Sequence, residues 1–519
     1  MRVIGDLSRV NARRYPQKIA LLHGERSLTY GSLEARSNRL AHALAALGVA
    51  PGERVALLAH NRLEYPIVTQ GVAKGGAILV PLNFRLAASE LEIVLRDAEP
   101  RVIVSEAVFA ATLRPVLAAL GAAAPRLLLI DGGGAGETAA DAAAFAGLLE
   151  RQSEDPPAIA VDPASACVIM YTSGTTGRPK GVLVSHEAYF RMYMATAIDT
   201  GLSHEDVFLM AVPMFHAAGM NLMLHQALFL GACGVIHSGP FDAQVIFELI
   251  DQHRISMAVL VPTIIGMMAR HPSRPAHDLS SLRRAFYGSM PMPPAILQAA
   301  LEAFPATAFH QIYGSTESGM LLVLPWSEHK GRPHATGREA LLSEVRVVDA
   351  GGRDVEVGGI GEVLGARASG MLGYWRNAPA TAETIVDGWI HTGDLARRET
   401  DGFYTVVGRI KEMIITGGEN VYPVEVERVL SLHPAVRDAA VFGIPDELYG
   451  ECVCAAVVLH APTASAEDLD AFCKSRLAAY KRPRRYQFLA ALPRNASDKV
   501  QKNELRRAFA PGAASGSAS

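Results

Sequence analysis

The stretch Tyr171 to Gly181 reads Y-T-S-G-T-T-G-R-P-K-G: four serine or threonine hydroxyls, three glycines and a lysine within one short segment. It follows Val168-Ile169-Met170-Tyr171, an apolar run that reads as a buried strand. It is not the common nucleotide loop ending G-K-[ST] at a helix start, because Arg178 and Pro179 separate Gly177 from Lys180 and Gly181 follows the lysine. On composition alone two readings are open. Glycines allow successive backbone N–H groups to turn inward as an anion nest, hydroxyls add donors, and Lys180 adds a full positive charge, a set that matches the oxygens of a triphosphate. A solvated Ser/Gly linker is the other reading.

Outward from this loop, the chain is an ordinary globular one. Its 519 residues exceed what one hydrophobic core normally serves, so two or more domains are expected. Half the residues are apolar, 19% are charged and the net charge is −3, which gives no global basicity to attract nucleic acid. The five cysteines, Cys167, Cys233, Cys452, Cys454 and Cys473, are odd in number and lack zinc-site spacing. The Cys452/Cys454 pair is read as pointing to opposite faces of a strand, and reduced cytoplasmic thiols are expected. The N-terminus is charged throughout without an apolar signal core, so a cytoplasmic protein is expected. The most apolar long segment, Met220 to His237, is interrupted by Asn221, His225 and Gln226. A membrane span would need roughly 20 nearly uninterrupted apolar residues, so the segment reads as a buried helix running into a strand.

The order of signals is α/β. A helical run at Ser32–Leu47 precedes strand-like runs at Arg54–Leu58, Ala77–Val80, Val102–Ser105 and Leu127–Ile130. Gly132–Gly147 reads as a flexible surface excursion. Beyond Arg409 comes a compact α+β unit. It has strands at Met413–Ile415, Ala439–Phe442 and Val453–Leu459 and helices at Pro423–Leu430 and Ala466–Leu477. Residues 511–519 read as a disordered tail.

Taken with the rest of the chain, T-S-G-T-T-G-R-P-K-G resembles the phosphate loop of the adenylate-forming enzymes, the superfamily of acyl-CoA synthetases, firefly luciferase and peptide-synthetase adenylation domains. The resemblance recurs in family order. Tyr313-Gly314-Ser315-Thr316-Glu317 is similar to Y-G-x-T-E, and Gly388-Trp389-Ile390-His391-Thr392-Gly393-Asp394 to G-W-x-x-T-G-D. Gly408-Arg409-Ile410-Lys411 matches the domain junction, continued by Gly417-Gly418-Glu419-Asn420-Val421-Tyr422-Pro423. Pro493 to Lys499, P-R-N-A-S-D-K, resembles the carboxy-terminal lysine motif. Six such landmarks in order span essentially the whole chain. The resemblance implies a large multi-subdomain N-terminal α/β domain over residues 1–408 and a small mobile α+β lid over 409–510.

It also implies the roles of residues. Thr172, Ser173, Gly174, Thr175, Thr176, Gly177 and Lys180 would hold the phosphates of ATP. Glu317 would carry Mg²⁺, a hard ion suited to a carboxylate and phosphate oxygens. Asp394 would bind the ribose hydroxyls, with Arg409 as a second ribose or phosphate contact. Gly288 and Ser289, within Tyr287-Gly288-Ser289-Met290-Pro291, would form the adenine floor. Tyr313, Gly314, Ser315 and Thr316 would line the nucleotide and acyl sites. Lys411 marks the hinge. Lys499 is the catalytic candidate, an ammonium placed where negative charge builds on the α-phosphate. Asp498 departs from the glycine usual before this lysine, and Lys502 is its neighbour in sequence.

For the acyl group, Pro213-Met214-Phe215-His216-Ala217-Ala218-Gly219-Met220 resembles the motif at the carboxylate end of the pocket, with His216 at the gate. Ala217, Gly219, Met220, Gly288 and Gly314 would line it, and adaptable methionines suit a medium-chain fatty or aromatic acid. Arg191 reads either as a partner for a second carboxylate or as a helix-surface arginine. Tyr480 to Arg485 reads as a contact for coenzyme A phosphates or as a solvated basic turn. The expected activity is that of an AMP-forming acid–CoA ligase. Its expected partners are a small carboxylic acid, ATP and coenzyme A, with a homodimer as the candidate assembly. No nucleic acid and no membrane span are expected. No carrier domain follows Lys499 in this sequence; transfer to a separate carrier protein is the alternative, and a non-catalytic ligand-binding homologue the remote one.

Overall fold

The computed structural model of the chain describes residues 1–131, 142–172, 179–288, 292–329, 331–332, 334–494 and 500–509. These residues form three sheets of fourteen, eight and five strands. The two larger sheets stack with helices between and outside them, and the strand alternation shows how. In Arg54–Leu58, Val55 and Leu57 face one core while Ala56 and Leu58 face another. In Val207–Met210, Phe208 and Met210 face the first core and Leu209 a third. A strand buried on both faces must be apolar at every position, which is how these runs read. The shared core lies between the sheets. It includes Leu33, Leu40 and Leu44 of the helix Tyr30–Ala46 and Ile67, Val68 and Val72 of the helix Glu64–Lys74. Helices Ala88–Ala98 and Ala110–Leu120 cover the outer face of the eight-stranded sheet. Helices Ala243–His253, Pro262–Arg270 and Pro294–Ala303 cover the outer face of the large one.

Each large sheet changes from parallel to antiparallel pairing at a strand that leads into a motif, and the fourteen-stranded one changes again near its edge, where Ile19–His23 pairs with Arg26–Thr29. In the eight-stranded sheet the change falls at Ala166–Thr172, which turns back into Lys180–Ser185. In the fourteen-stranded sheet it falls at Ala308–Ser315, which turns back into Gly319–Leu324. Open sheets collect ligands outside the carboxyl ends of their strands where the pattern switches. The hydroxyl-rich stretch and the Y-G-S-T-E turn follow these two strands in the chain.

The remaining sheet belongs to the carboxy-terminal unit and holds Ile414–Thr416, Glu419–Val421, Val436–Asp446, Gly450–Leu459 and Arg485–Phe488. Helices Pro423–Ser431 and Ala466–Lys474 pack on one face and Lys502–Phe509 on the other. A short turn, Ile410–Glu412, lies between this unit and Phe403–Arg409, a strand of the large sheet.

Several expectations need correction. Cys452 and Cys454 share one face, buried against Phe442, Ile444 and Leu505, because residues two apart on a strand point the same way. All five cysteines are free. The excursion expected over Gly132–Gly147 becomes regular in its second part: Ala142–Ala144 pairs in parallel with Arg126–Leu129, and Phe145–Glu150 is helical with Phe145 and Leu149 buried. Residues 132–141 and 510–519 lie outside the described residues. The helix expected to reach Leu477 ends at Lys474. The apolar segment is a π-helix over Ala218–His225, then the helix Gln226–Leu230 and the strand Cys233–Ile236. Two of its polar residues are satisfied internally: Tyr193 reaches Asn221 Oδ1 at 3.2 Å and His225 Nδ1 at 3.1 Å, and His225 Nε2 reaches Thr69 at 3.2 Å. Among the described residues no helix is long and apolar enough to cross a membrane.

Candidate active site

The Y-G-S-T-E turn is shaped by close backbone approach. At Gly314 a Cβ would stand 1.9 Å from the Gly319 carbonyl oxygen, and at Gly288 it would stand 2.4 Å from that of Ile312. No side chain fits either gap, so the two strand ends lie nearly in contact. Ser315 and Ser318 lock the turn: each accepts the other's backbone N–H through its hydroxyl, at 3.1 and 3.0 Å. Thr316 is half-buried inside it. From this one turn Tyr313 and Glu317 project to two different corners.

At the first corner, Asp394 lies opposite Arg409 across the strands Trp389–Arg398 and Phe403–Arg409. Arg409 Nε donates to Asp394 Oδ1 at 2.8 Å and the Tyr313 hydroxyl donates to Oδ2 at 2.7 Å. Asp394 is buried at 7% exposure. Burial, reinforced by the Asp394 charge, holds the Tyr313 phenol well above its ordinary pKa, so it remains a donor. A carboxylate offers roughly four lone-pair positions; two are used, which leaves acceptors for a pair of adjacent hydroxyls. Glu362, which the motif reading did not single out, holds the T-G-D turn by accepting from Gly393 N–H at 3.0 Å and meeting His391 Nδ1 at 2.8 Å. Its position twenty-nine residues before His391 carries no local sequence signal; only the antiparallel pairing of its strand with Trp389–Arg398 brings it there.

At the second corner, Thr172 and Lys180 face each other across the hairpin of the eight-stranded sheet. The Lys180 ammonium lies 4.9 Å from the ring centroid of Tyr374, and the Tyr374 hydroxyl donates to Glu317 Oε1 at 3.3 Å. Burial, with the Glu317 charge second, pushes the Tyr374 phenol up to about 12. The sequence reading missed Tyr374, which follows Gly373 in an unremarked G-Y pair. The loop residues Ser173, Gly174, Thr175, Thr176 and Gly177 lie outside the described residues, as do Ser289, Asp498 and Lys499. Among the described residues no group of three or more His, Cys, Asp or Glu could hold a metal. Glu317 fits Mg²⁺ as a single protein carboxylate whose partners would be phosphate oxygens and water, the usual arrangement for this ion.

The acyl segment is tightly folded. A Cβ at Gly219 would stand 2.1 Å from the Pro213 carbonyl oxygen. Buried Asn61, another residue the sequence reading missed, donates to the carbonyls of Met210 and Val212 at 3.0 and 2.9 Å and accepts from Met214 N–H at 2.8 Å. It follows the strand Arg54–Leu58 by three residues, a strand-end position where polar side chains often serve a site. His216 is exposed, and its Nδ1 accepts from Ala218 N–H at 3.2 Å where the π-helix starts. Ala217 is half-buried, while Gly219 and Met220 are buried. Met214 and Met220 belong to the core between the sheets, and Met320 receives the Thr196 hydroxyl at 3.5 Å.

Other candidates separate clearly. Arg191 pairs with Glu187 one helical turn away at 3.1 Å on an exposed face, so the second-carboxylate reading gives way to a surface ion pair. In the basic stretch, Lys481 pairs with Glu425 at 2.8 Å and Arg482 with Asp470 at 3.1 Å, while Arg484 stacks on Tyr449 at 3.6 Å. Lys411 is exposed within the turn Ile410–Glu412. Lys502 is held between Glu412 at 3.0 Å and Glu427 at 2.9 Å. Burial alone would lower its pKa, but the two carboxylates outweigh that and raise it. A lysine so pinned is a structural anchor and not a mobile catalytic cation.

Comparison with known proteins agrees with this geometry. Residues 8–375 match the AMP-binding enzyme family and residues 425–499 the AMP-binding enzyme C-terminal domain. The chain is 37% identical to a feruloyl-CoA synthase of Amycolatopsis sp over 501 residues, covering 96% of this chain and 97% of that protein. It is 38% identical to a fatty acid–[acyl-carrier-protein] ligase of Streptomyces coeruleorubidus over 510 residues, covering 96% and 95%. Its fold superposes on an anthranilate CoA ligase solved with anthranoyl-AMP with a TM-score of 0.87 at 29% identity, covering 98% and 97% of the two chains. With its two corners drawn from both large sheets and its small unit following the strand that carries Arg409, the chain belongs to the AMP-binding, adenylate-forming enzymes.

Proposed function

We propose that the chain is an ATP-dependent carboxylic acid–CoA ligase that acts through an acyl-AMP intermediate on a medium-chain fatty or aromatic acid. The observation that carries this reading is the convergence of Lys180, Tyr313, Glu317, Asp394 and Arg409, remote in sequence, at two adjoining corners fed by one turn. Asp394 and Arg409 receive the ribose end of the nucleotide. Lys180, with the loop Thr172 to Gly177, grips the β- and γ-phosphates, and Glu317 takes the Mg²⁺ that accompanies them. Lys499 meets the charge that grows on the α-phosphate oxygens. A substrate carboxylate oxygen attacks the α-phosphorus and pyrophosphate leaves. The thiolate of coenzyme A then attacks the acyl carbon and AMP leaves. His216 stands at the gate of a pocket lined by Ala217, Gly219, Met220, Gly288 and Gly314. Residues 1–408 bind the substrates, and residues 409–510 turn about Lys411 between the two steps, shielding the adenylate from water.

Exchange of labelled pyrophosphate into ATP, dependent on an added acid, tests the first step. Thioester formation with free coenzyme A tests the second. A carrier protein as acceptor is the second reading, favoured by the likeness to a fatty acid–[acyl-carrier-protein] ligase; adenylation without reaction with free coenzyme A would select it. Lys499→Ala is expected to slow adenylation by about 100-fold or more while thioester formation from supplied acyl-AMP stays largely intact. Equal losses in both steps would remove the assignment of Lys499.

A further inference from the structure

Lys180 and Glu317 carry opposite charges at the same corner, yet among the described residues neither takes part in a salt bridge. Both meet one phenol instead: the ammonium lies 4.9 Å from the Tyr374 ring centroid and Glu317 Oε1 accepts from the Tyr374 hydroxyl at 3.3 Å. The phenol is held firmly. Gly373–Tyr374 pairs with the strand Lys180–Ser185, Tyr374 opposite Val182. Tyr374 N–H donates to Thr381 Oγ1 at 2.8 Å, and Trp375 N–H donates to the Gly181 carbonyl at 2.7 Å. On the other side, Met371 N–H donates to the Glu317 carbonyl at 2.7 Å, and a Cβ at Gly370 would stand 2.6 Å from that same oxygen. The segment Gly370–Trp375 therefore ties the turn bearing Glu317 to the strand bearing Lys180, and the Tyr374 side chain meets the charged ends of both.

We infer that Tyr374 is a positioning residue that keeps Lys180 and Glu317 from neutralising one another, so that an arriving metal–triphosphate finds both charges available. A phenol is suited to this role because its face attracts an ammonium and its hydroxyl donates to a carboxylate, and neither contact cancels the charge it touches. A direct ion pair would have to be broken before the nucleotide could use either group. The inference rests on the assignment of Lys180 to the phosphates and Glu317 to Mg²⁺ proposed above.

Two variants separate the two contacts. Tyr374→Phe keeps the ring beneath Lys180 and removes the donor to Glu317, whereas Tyr374→Ala removes both. Calorimetric titration of the full chain with ATP, with and without Mg²⁺, reads each effect directly. In Tyr374→Phe the Mg²⁺ concentration that gives half-maximal ATP binding is expected to rise about three- to tenfold, with metal-free ATP binding weakened less than in Tyr374→Ala because the ring still holds Lys180. In Tyr374→Ala metal-free ATP binding is expected to weaken as well, by about tenfold. Glu317→Gln combined with Tyr374→Phe should lose no more Mg²⁺ dependence than Glu317→Gln alone, because both act on one carboxylate. Wild-type Mg²⁺ dependence in Tyr374→Phe, or full additivity in the double variant, overturns the inference. If circular dichroism shows Tyr374→Ala to be unfolded, the phenylalanine variant decides alone. A wild-type chain that binds MgATP but exchanges no pyrophosphate with any acid sinks the ligase reading, and the calorimetry still judges Tyr374. A chain that binds no ATP sinks both.

Discussion

The two corners of the site start from the same turn and treat charge in opposite ways. At the corner proposed for the ribose every charge is spoken for: Asp394 accepts from Tyr313 and pairs with Arg409, and the turn beneath it is held by Glu362. At the corner proposed for the phosphates a cation and an anion face the same phenol without pairing among the described residues. On the proposed assignment, the chemistry of the two ligands accounts for the difference. Ribose hydroxyls are neutral and need acceptors fixed in place, which a braced carboxylate supplies with lone pairs to spare. A triphosphate and its metal bring their own charges, so residues that meet them serve best unneutralised.

Stability measurements put the greatest strain on this contrast. Asp394→Ala leaves the buried Tyr313 hydroxyl without its acceptor and is expected to destabilise the fold by about 1–3 kcal/mol. Glu317→Gln, which breaks no ion pair among the described residues, should stay within about 0.5 kcal/mol of the wild type, although both variants are expected to lose adenylation. Urea unfolding measures the two, and equal destabilisation would erase the distinction between corners.

A pH series refines the contrast by showing what the ribose corner does not control. Burial holds His225 at a pKa of about 3 and His186 at about 4, so the folded state keeps both neutral. The unfolded chain takes up these protons first as pH falls below about 6.5. Their contribution is thus intact above that value and is lost on acidification toward the folded pKa values. Each histidine costs about 1.4 kcal/mol per pH unit across that window. Wild type and Asp394→Ala should show the same acid slope between about pH 6 and 5; a shallower slope in the variant would place the acid sensitivity at the ribose corner. The smallest effect belongs to an ion pair remote from both corners. Arg191→Ala removes an exposed intrahelical bridge and should change stability by about 0.5 kcal/mol or less, with KM for the acid unchanged in steady-state assays. A large rise in KM for dicarboxylic acids alone would restore the discarded reading of Arg191.

Much of this was legible in the sequence because the residues concerned are local. The hydroxyl-rich loop, Y-G-S-T-E and T-G-D are contiguous, and the glycines at 288 and 314 answer to close backbone approaches at the ends of their own strands. The strands of the parallel cores were legible for a related reason: burial on both faces leaves an unbroken apolar run. Tyr374, Glu362 and Asn61 were not legible, since each acts on residues brought near by sheet pairing or packing and carries no motif of its own. The face shared by Cys452 and Cys454 follows from the two-residue period of a strand, and the structure places both thiols in one core.

The family, the order of its motifs along the chain, and the α/β alternation are all written in the amino-acid order, because short motifs and periodicity are properties of neighbouring residues. Which charges are paired and which stand apart, the anchoring of Lys502, and the placing of Tyr374 against both Lys180 and Glu317 emerge in the folded chain alone. Those are distances between residues apart in the chain, fixed by strand pairing and by the packing of helices and turns, and no stretch of sequence contains them.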